Sequence, residues 1–145
     1  MIQLGLRLHD GEKLPLPELL PIVRGQGFQC IHLALNKSLP EVPCTPNALT
    51  PGYAGWIRRQ FAENGLDIAV LGNYLNLAHP DSTSLAKIQE MYFAHIRFAA
   101  AVGCSMVGTE TGTPNWDYSP CPECRSDEAL STLIRNLKPV VRCAE

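Results

Sequence analysis

Residues able to move protons or grip a small polar ligand fall in four short groups along this 145-residue chain. They are His9 and Asp10; His32 and Asn36; Asn73, Tyr74, Asn76 and His79; and Glu110, Thr111 and Asn115. Imidazoles and carboxylates are the usual general acids and bases, and amides and hydroxyls bind ligand oxygens. Glu110 is the most pointed of them. It follows an apolar run, and a carboxylate at the end of a buried strand is costly unless it is paired, ligated or exposed at a site. His9 reads as a substrate contact or acid–base group, or as a solvated loop histidine. His32 lies within an apolar run, so it is either a group facing a site or a satisfied core histidine. His95 falls on the apolar stripe of a helix and reads as structural, while His79-Pro80 orders a turn. Cys121-Pro122-Glu123-Cys124 has the spacing of redox and zinc motifs. It has neither a matching second pair nor a thioredoxin-like strand before it, and reads as loop composition. Trp116 and Tyr118 in the same loop either line a pocket or cover the last helix.

Each group sits just after, or within, a short apolar run, and a helical stretch follows each run. The runs are expected strands at about 2–8, 29–35, 67–71 and 104–109. In the first, Ile2, Leu4, Leu6 and Leu8 alternate with Gln3, Gly5, Arg7 and His9, so one face is apolar and the other is not. A first helix begins near Pro17 and closes near Gly25 or Gly27. A second takes Thr50 as N-cap and Pro51 as its first residue, and stops at Asn64-Gly65. A third spans about 83–102, with Leu85, Ile88, Tyr92, Ile96 and Ala99 on one stripe and Gly103 at its end. A fourth is capped by Ser126, carries Asp127 and Glu128 in its first turn, and meets an interruption at Pro139.

Strand-then-helix units in series are the signature of a parallel α/β sheet. Four such units make half of the roughly 250 residues of a TIM-type (β/α)8 barrel, so the expectation is a single (β/α)4 half-barrel domain over 1–145. An open doubly wound sheet is the alternative. It usually carries a glycine-rich phosphate turn after its first strand, where this chain has His9-Asp10-Gly11-Glu12-Lys13. In the barrel the four polar groups converge on one rim, at the C-terminal ends of the strands. A net charge of -2 and the absence of any basic run speak against nucleic acid as a partner. No apolar stretch reaches the roughly 20 residues of a membrane span. With no signal-peptide layout at the start, the expected location is cytoplasmic, with free rather than disulfide-bonded cysteines.

The segments Gly72-Asn73-Tyr74-Leu75-Asn76-Leu77-Ala78-His79-Pro80-Asp81 and Gly108-Thr109-Glu110-Thr111-Gly112-Thr113-Pro114-Asn115 resemble the ends of strands three and four in the sugar phosphate isomerase/epimerase family. That family belongs to the xylose isomerase-like barrel superfamily. The resemblance extends over essentially the whole chain, and it implies a metal-assisted proton transfer beside a sugar carbonyl. A divalent metal (Mn, Mg, Co or Zn) is implied, with ligands mostly from strands five to eight and so outside these four. What carries over is a substrate-side rim: Glu110 in the catalytic role, and His9, His32, Asn73 and Asn115 as contacts to a small sugar or sugar phosphate. The related apurinic endonucleases place histidines near the positions of Asn73 and Glu110, and this chain has none there. On this reading the chain is a truncated half that is not competent alone, with a homodimer as the natural way to close it. A non-catalytic half-barrel module that binds a sugar or a partner chain is the alternative.

Overall fold

Local sequence decides where the helices start. In the computed structural model, which describes residues 2–39 and 42–145, the Thr50 side chain accepts from the Tyr53 amide and opens α3 (Pro51–Glu63). Asp81 accepts from the Ser84 amide at 2.7 Å and opens α4 (Ser82–Val102). Ser126 accepts from the Ala129 amide and opens α5 (Asp127–Ala144). Each cap satisfies an amide that the first helical turn leaves without a partner. The shorter helices are α1 (Leu16–Gly25), with Pro17 in its first turn, and the single turn α2 (Leu35–Ser38). Gly103 closes α4 in the left-handed conformation at φ 86°, where a side chain would be strained.

The strands are β1 (Gly5–Arg7), β2 (Cys30–Leu33), β3 (Asp67–Gly72) and β4 (Val107–Gly108). They form one parallel sheet in the order β1-β2-β3-β4. Parallel strands laid down in sequence, joined by crossovers of one hand, send every connection over the same face. The order never reverses, which a doubly wound sheet requires. The α/β class with parallel strands each followed by a helix is as expected from the sequence. On the covered face α1 packs on α3, α3 on α4 and α4 on α5. Leu6, Ile31, Leu33, Ile68, Leu71 and Val107 meet Leu20, Val23, Ile57, Phe61, Phe98 and Val102 there in one core. Burying each large apolar side chain is worth about 1.5–3 kcal/mol, and this core is the main source of stability. The strand residues that alternate with them are Gly5, Arg7, Cys30, His32, Val70, Gly72 and Gly108, and no helix of the described chain lies over them.

The strands are shorter than the apolar runs. Ile2 and Leu4, expected on the core face, are 89% and 64% exposed, because β1 is an edge strand and no helix reaches its start. Leu8 is buried, but in the 3-10 turn Leu8–Asp10 rather than in the strand. Leu35 belongs to α2, and ladder pairing in the last run begins only at Val107. Pro139 does not interrupt α5. Asn136 donates to the Leu77 carbonyl at 2.8 Å, Gln89 donates to the Asn136 carbonyl, and Val140 is buried against Leu77 and Tyr92. These contacts hold both sides of the proline in helical register. No helix among the described residues is long and apolar enough to cross a membrane.

Tyr92 of α4 ties the strand ends together. Its side chain is 1% exposed, and its hydroxyl donates to the Asn73 carbonyl at 2.6 Å. The same oxygen lies 3.1 Å from the Leu75 carbonyl and also bonds the Thr109 hydroxyl. One phenol thus joins the segments that leave β3 and β4. Tyr92→Phe should lower unfolding free energy by about 1–3 kcal/mol, the cost of buried acceptors left unmatched, read by urea denaturation. An unchanged midpoint would show that the hydroxyl is not structural.

Candidate functional site

The open face of the sheet ends in a polar rim, built strand by strand. From β1, Arg7 donates to Nε2 of His9 at 2.9 Å and pairs with Asp10 at 3.3 Å. A guanidinium cannot accept, so Nε2 of His9 is the acceptor and the ring proton sits on Nδ1. That Nδ1 is buried and has no hydrogen-bond partner among the described residues. The His9 ring stands edge-on to His32 of β2, with centroids 5.6 Å apart. His32 in turn bonds the Tyr74 hydroxyl through Nε2 at 2.6 Å, with the two rings again nearly perpendicular. Lys37, from α2, places its ammonium 4.9 Å from the centre of the Tyr74 ring, within cation–π range.

Glycine makes this contact possible. A Cβ on Gly72 would lie 2.5 Å from Nε2 of His32 and 2.8 Å from the Tyr74 hydroxyl, so the two side chains meet through the space that a side chain would fill. Gly112 does the same for the next loop. At φ 78° its missing Cβ would fall 2.3 Å from Oδ1 of Asn76, and that oxygen accepts from the Thr113 and Ala78 amides.

The electrostatics of the rim favour neutral imidazoles. Burial, then the Arg7 charge, hold both His9 and His32 below the ordinary 6.5, and Lys37 adds to both. Burial raises the Tyr74 phenol, and the Glu110 charge adds to that. Tyr74 therefore stays protonated beside a neutral histidine at neutral pH, a pair able to donate one hydrogen bond and accept another.

The sequence-predicted residues divide. His9 and His32 come together. Glu110 is exposed at the end of β4, where it accepts from the Tyr118 hydroxyl at 2.6 Å. Tyr118 holds a positive φ of 64°, an uncommon conformation for an aromatic residue. Asn73 is buried, with its carbonyl bound by Tyr92 and its side-chain nitrogen without a partner among the described residues. Asn115 is occupied in its own loop, donating to the Ser119 carbonyl and hydroxyl. His79 accepts from the Asp81 amide and stands against Trp116. His95 is buried against the Met91 carbonyl. Sequence reasoning gave Lys37 and Gly72 no place at the rim and treated Tyr92 as plain core. Lys37 follows Asn36 in a helical turn that the apolar run concealed.

The divalent metal implied by the family resemblance would take its ligands mostly from strands five to eight, outside these four. No three His, Cys, Asp or Glu side chains converge among the described residues, and the two imidazoles lie beside a guanidinium and an ammonium. No family model matches the chain, and no curated protein matches it. Fold and rim together define the class: a parallel α/β sheet, covered on one face, with a cationic hydrogen-bonding rim at its strand ends.

Depressed histidine values carry a sign. Below 6.5 the unfolded chain binds protons that His9, His32 and the buried His95 refuse when folded. Unfolding then takes up protons, so stability is full above 6.5 and falls as pH drops below it. Urea unfolding across pH 5 to 7.5 should show that fall, and His32→Asn should make it shallower. An equal slope in the variant would show that His32 is not held neutral.

Proposed function

We propose that this chain is the substrate-side half of a sugar phosphate isomerase or epimerase, a (β/α)4 half of a TIM-type barrel. One observation carries the reading. Arg7, His9, His32, Lys37 and Tyr74 gather at the strand ends on the uncovered face, where a barrel of this kind binds its ligand. In this reading Arg7 and Lys37 attract the phosphate, Arg7 with two-pronged geometry and Lys37 as a point charge. The Tyr74–His32 pair donates to the sugar carbonyl oxygen as negative charge develops on it. Glu110 takes the proton from the neighbouring carbon and returns it, its carboxylate held by Tyr118 until the ligand arrives. Four strands surround a ligand on one side only, so turnover by this chain alone is not expected.

Calorimetric titration tests the reading with ribulose 5-phosphate, ribulose and inorganic phosphate. The phosphorylated sugar should bind tightest, and Arg7→Ala and Tyr74→Phe should each weaken it by about tenfold, near 1.4 kcal/mol. A chain that binds none of the three is not a sugar phosphate protein.

The same reading asks what covers the sheet's free edges, and we propose a second copy. Beside β4, the faces of α4 and α5 leave an apolar cleft of about 390 Å³ lined by Ile96, Val107, Leu137, Val140 and Val141. On β1, at the opposite edge, Ile2 and Leu4 project without cover. β1 of one copy laid against β4 of another would pair both backbones and seat Ile2 and Leu4 in that cleft. Two-fold symmetry makes the second junction at the same time. Light scattering on a sizing column should give twice the chain mass, and Leu4→Asp should give a monomer. A folded wild-type monomer at high concentration would overturn this arrangement while leaving the sugar-binding test untouched.

A further inference from the structure

The loop that leads from Glu110 to α5 holds a second piece of chemistry that the sugar reading does not use. Cys121 and Cys124 bring their sulfurs to 3.6 Å across the 3-10 turn Pro122–Arg125. The Cys121 amide donates to Cys124 Sγ at 3.4 Å, and the Thr113 hydroxyl lies 3.4 Å from the same sulfur. All six cysteines are free thiols. Among the described residues no three His, Cys, Asp or Glu side chains are placed to hold a metal ion, so the pair is not set up as a structural zinc site.

We propose that Cys121 and Cys124 are a redox-active dithiol that closes to a disulfide by exchange with a small disulfide such as oxidised glutathione. Cys124 is the attacking sulfur. The Cys121 amide donates to its sulfur, a bond that favours the thiolate, whereas burial raises the thiol of Cys121. The Cys124 thiolate attacks one sulfur of glutathione disulfide, the S–S bond breaks, and glutathione leaves as a thiolate that takes up a proton. Cys121 then loses its own proton and attacks Cys124 Sγ, expelling the second glutathione. The dithiol is oxidised by two electrons and the small disulfide is reduced to two thiols. Closing the sulfurs from contact to about 2.05 Å requires rotation of side chains within one turn rather than backbone transfer across the fold.

Closure would be felt at the rim. Thr113, which Cys124 touches, donates to the Ser119 carbonyl and receives the Asn115 amide. Asn76 holds its backbone from β3's side. Thr109, Glu110, Thr113, Tyr118 and Cys124 line a single depression, so pulling Cys124 toward Cys121 shifts the loop that presents Tyr118 to Glu110.

The test equilibrates the whole chain in glutathione buffers of graded ratio, quenches in acid, alkylates, and weighs the peptide carrying both cysteines. Expected is one two-electron transition, in which that peptide loses two hydrogens and escapes alkylation. In Cys121→Ser, glutathione should remain trapped on Cys124; in Cys124→Ser, Cys121 should stay alkylatable. Full alkylation of both sulfurs at every ratio would overturn the proposal, as would glutathione trapped on Cys121 instead of Cys124.

Discussion

Four parallel strands placed in chain order force every crossover over one face of the sheet, and the rest of the molecule follows from that asymmetry. The covered face is filled with Ile31, Leu33 and Leu71 against the helices, none of them measurably exposed. The other face cannot be apolar to the same degree, because no helix of the described residues covers it. It carries small residues (Gly5, Gly72, Gly108) where neighbours approach closely, and Arg7, His32 and Cys30 between them. A rim of hydrogen-bonding side chains is therefore what this sheet has to offer at its strand ends.

The rim is held from behind as well as within. Tyr92 reaches through from α4 to bind the carbonyls that follow β3 and the hydroxyl that follows β4. Asn76 and Gly112 lock the next loop by three hydrogen bonds around one amide side chain. Polar side chains at the rim can thus be buried and only partly satisfied, as His9 and Asn73 are, because the backbone that presents them is fastened by groups on the core side. Desolvated imidazoles beside two cations stay neutral, which suits them to hydrogen bonding more than to charge.

Much of this was legible in the sequence, and the failures have a common cause. Helix starts at Thr50 and Ser126 and the stops at Gly65 and Gly103 depend on local chemistry, and local chemistry is written in adjacent residues. That His9, His32 and Glu110 each fall at or near a strand end follows from alternation and connection order, which are also local. Strand length was not legible, because Ile2 and Leu4 have the right types and the right period but no cover, and cover is a tertiary property. Lys37 escaped notice since a single helical turn cannot be told from the end of an apolar strand. Asn73 and Asn115 follow β3 and β4, but the sequence does not say whether an amide serves a ligand or its own loop. Tyr92 shows the same limit: a tyrosine on an apolar stripe gives no sign of where its hydroxyl ends.

The pairing of β2 with β3 slips by one residue between Ile31 and His32, so that Ile31 faces Ile68 while His32 faces Val70. Ala69 is the surplus residue, and it alone lets Ile68 and Leu71, three apart, share the covered face. Removing it would restore strict alternation and leave Ile68, Val70, Leu71 and Gly72 each on its present side. Removing Ile68 or Leu71 would instead take an apolar side chain out of the core. In evolutionary terms this is the position in the sheet where the chain can change length at little cost, and where a gap belongs when shorter sequences of this fold are aligned with it.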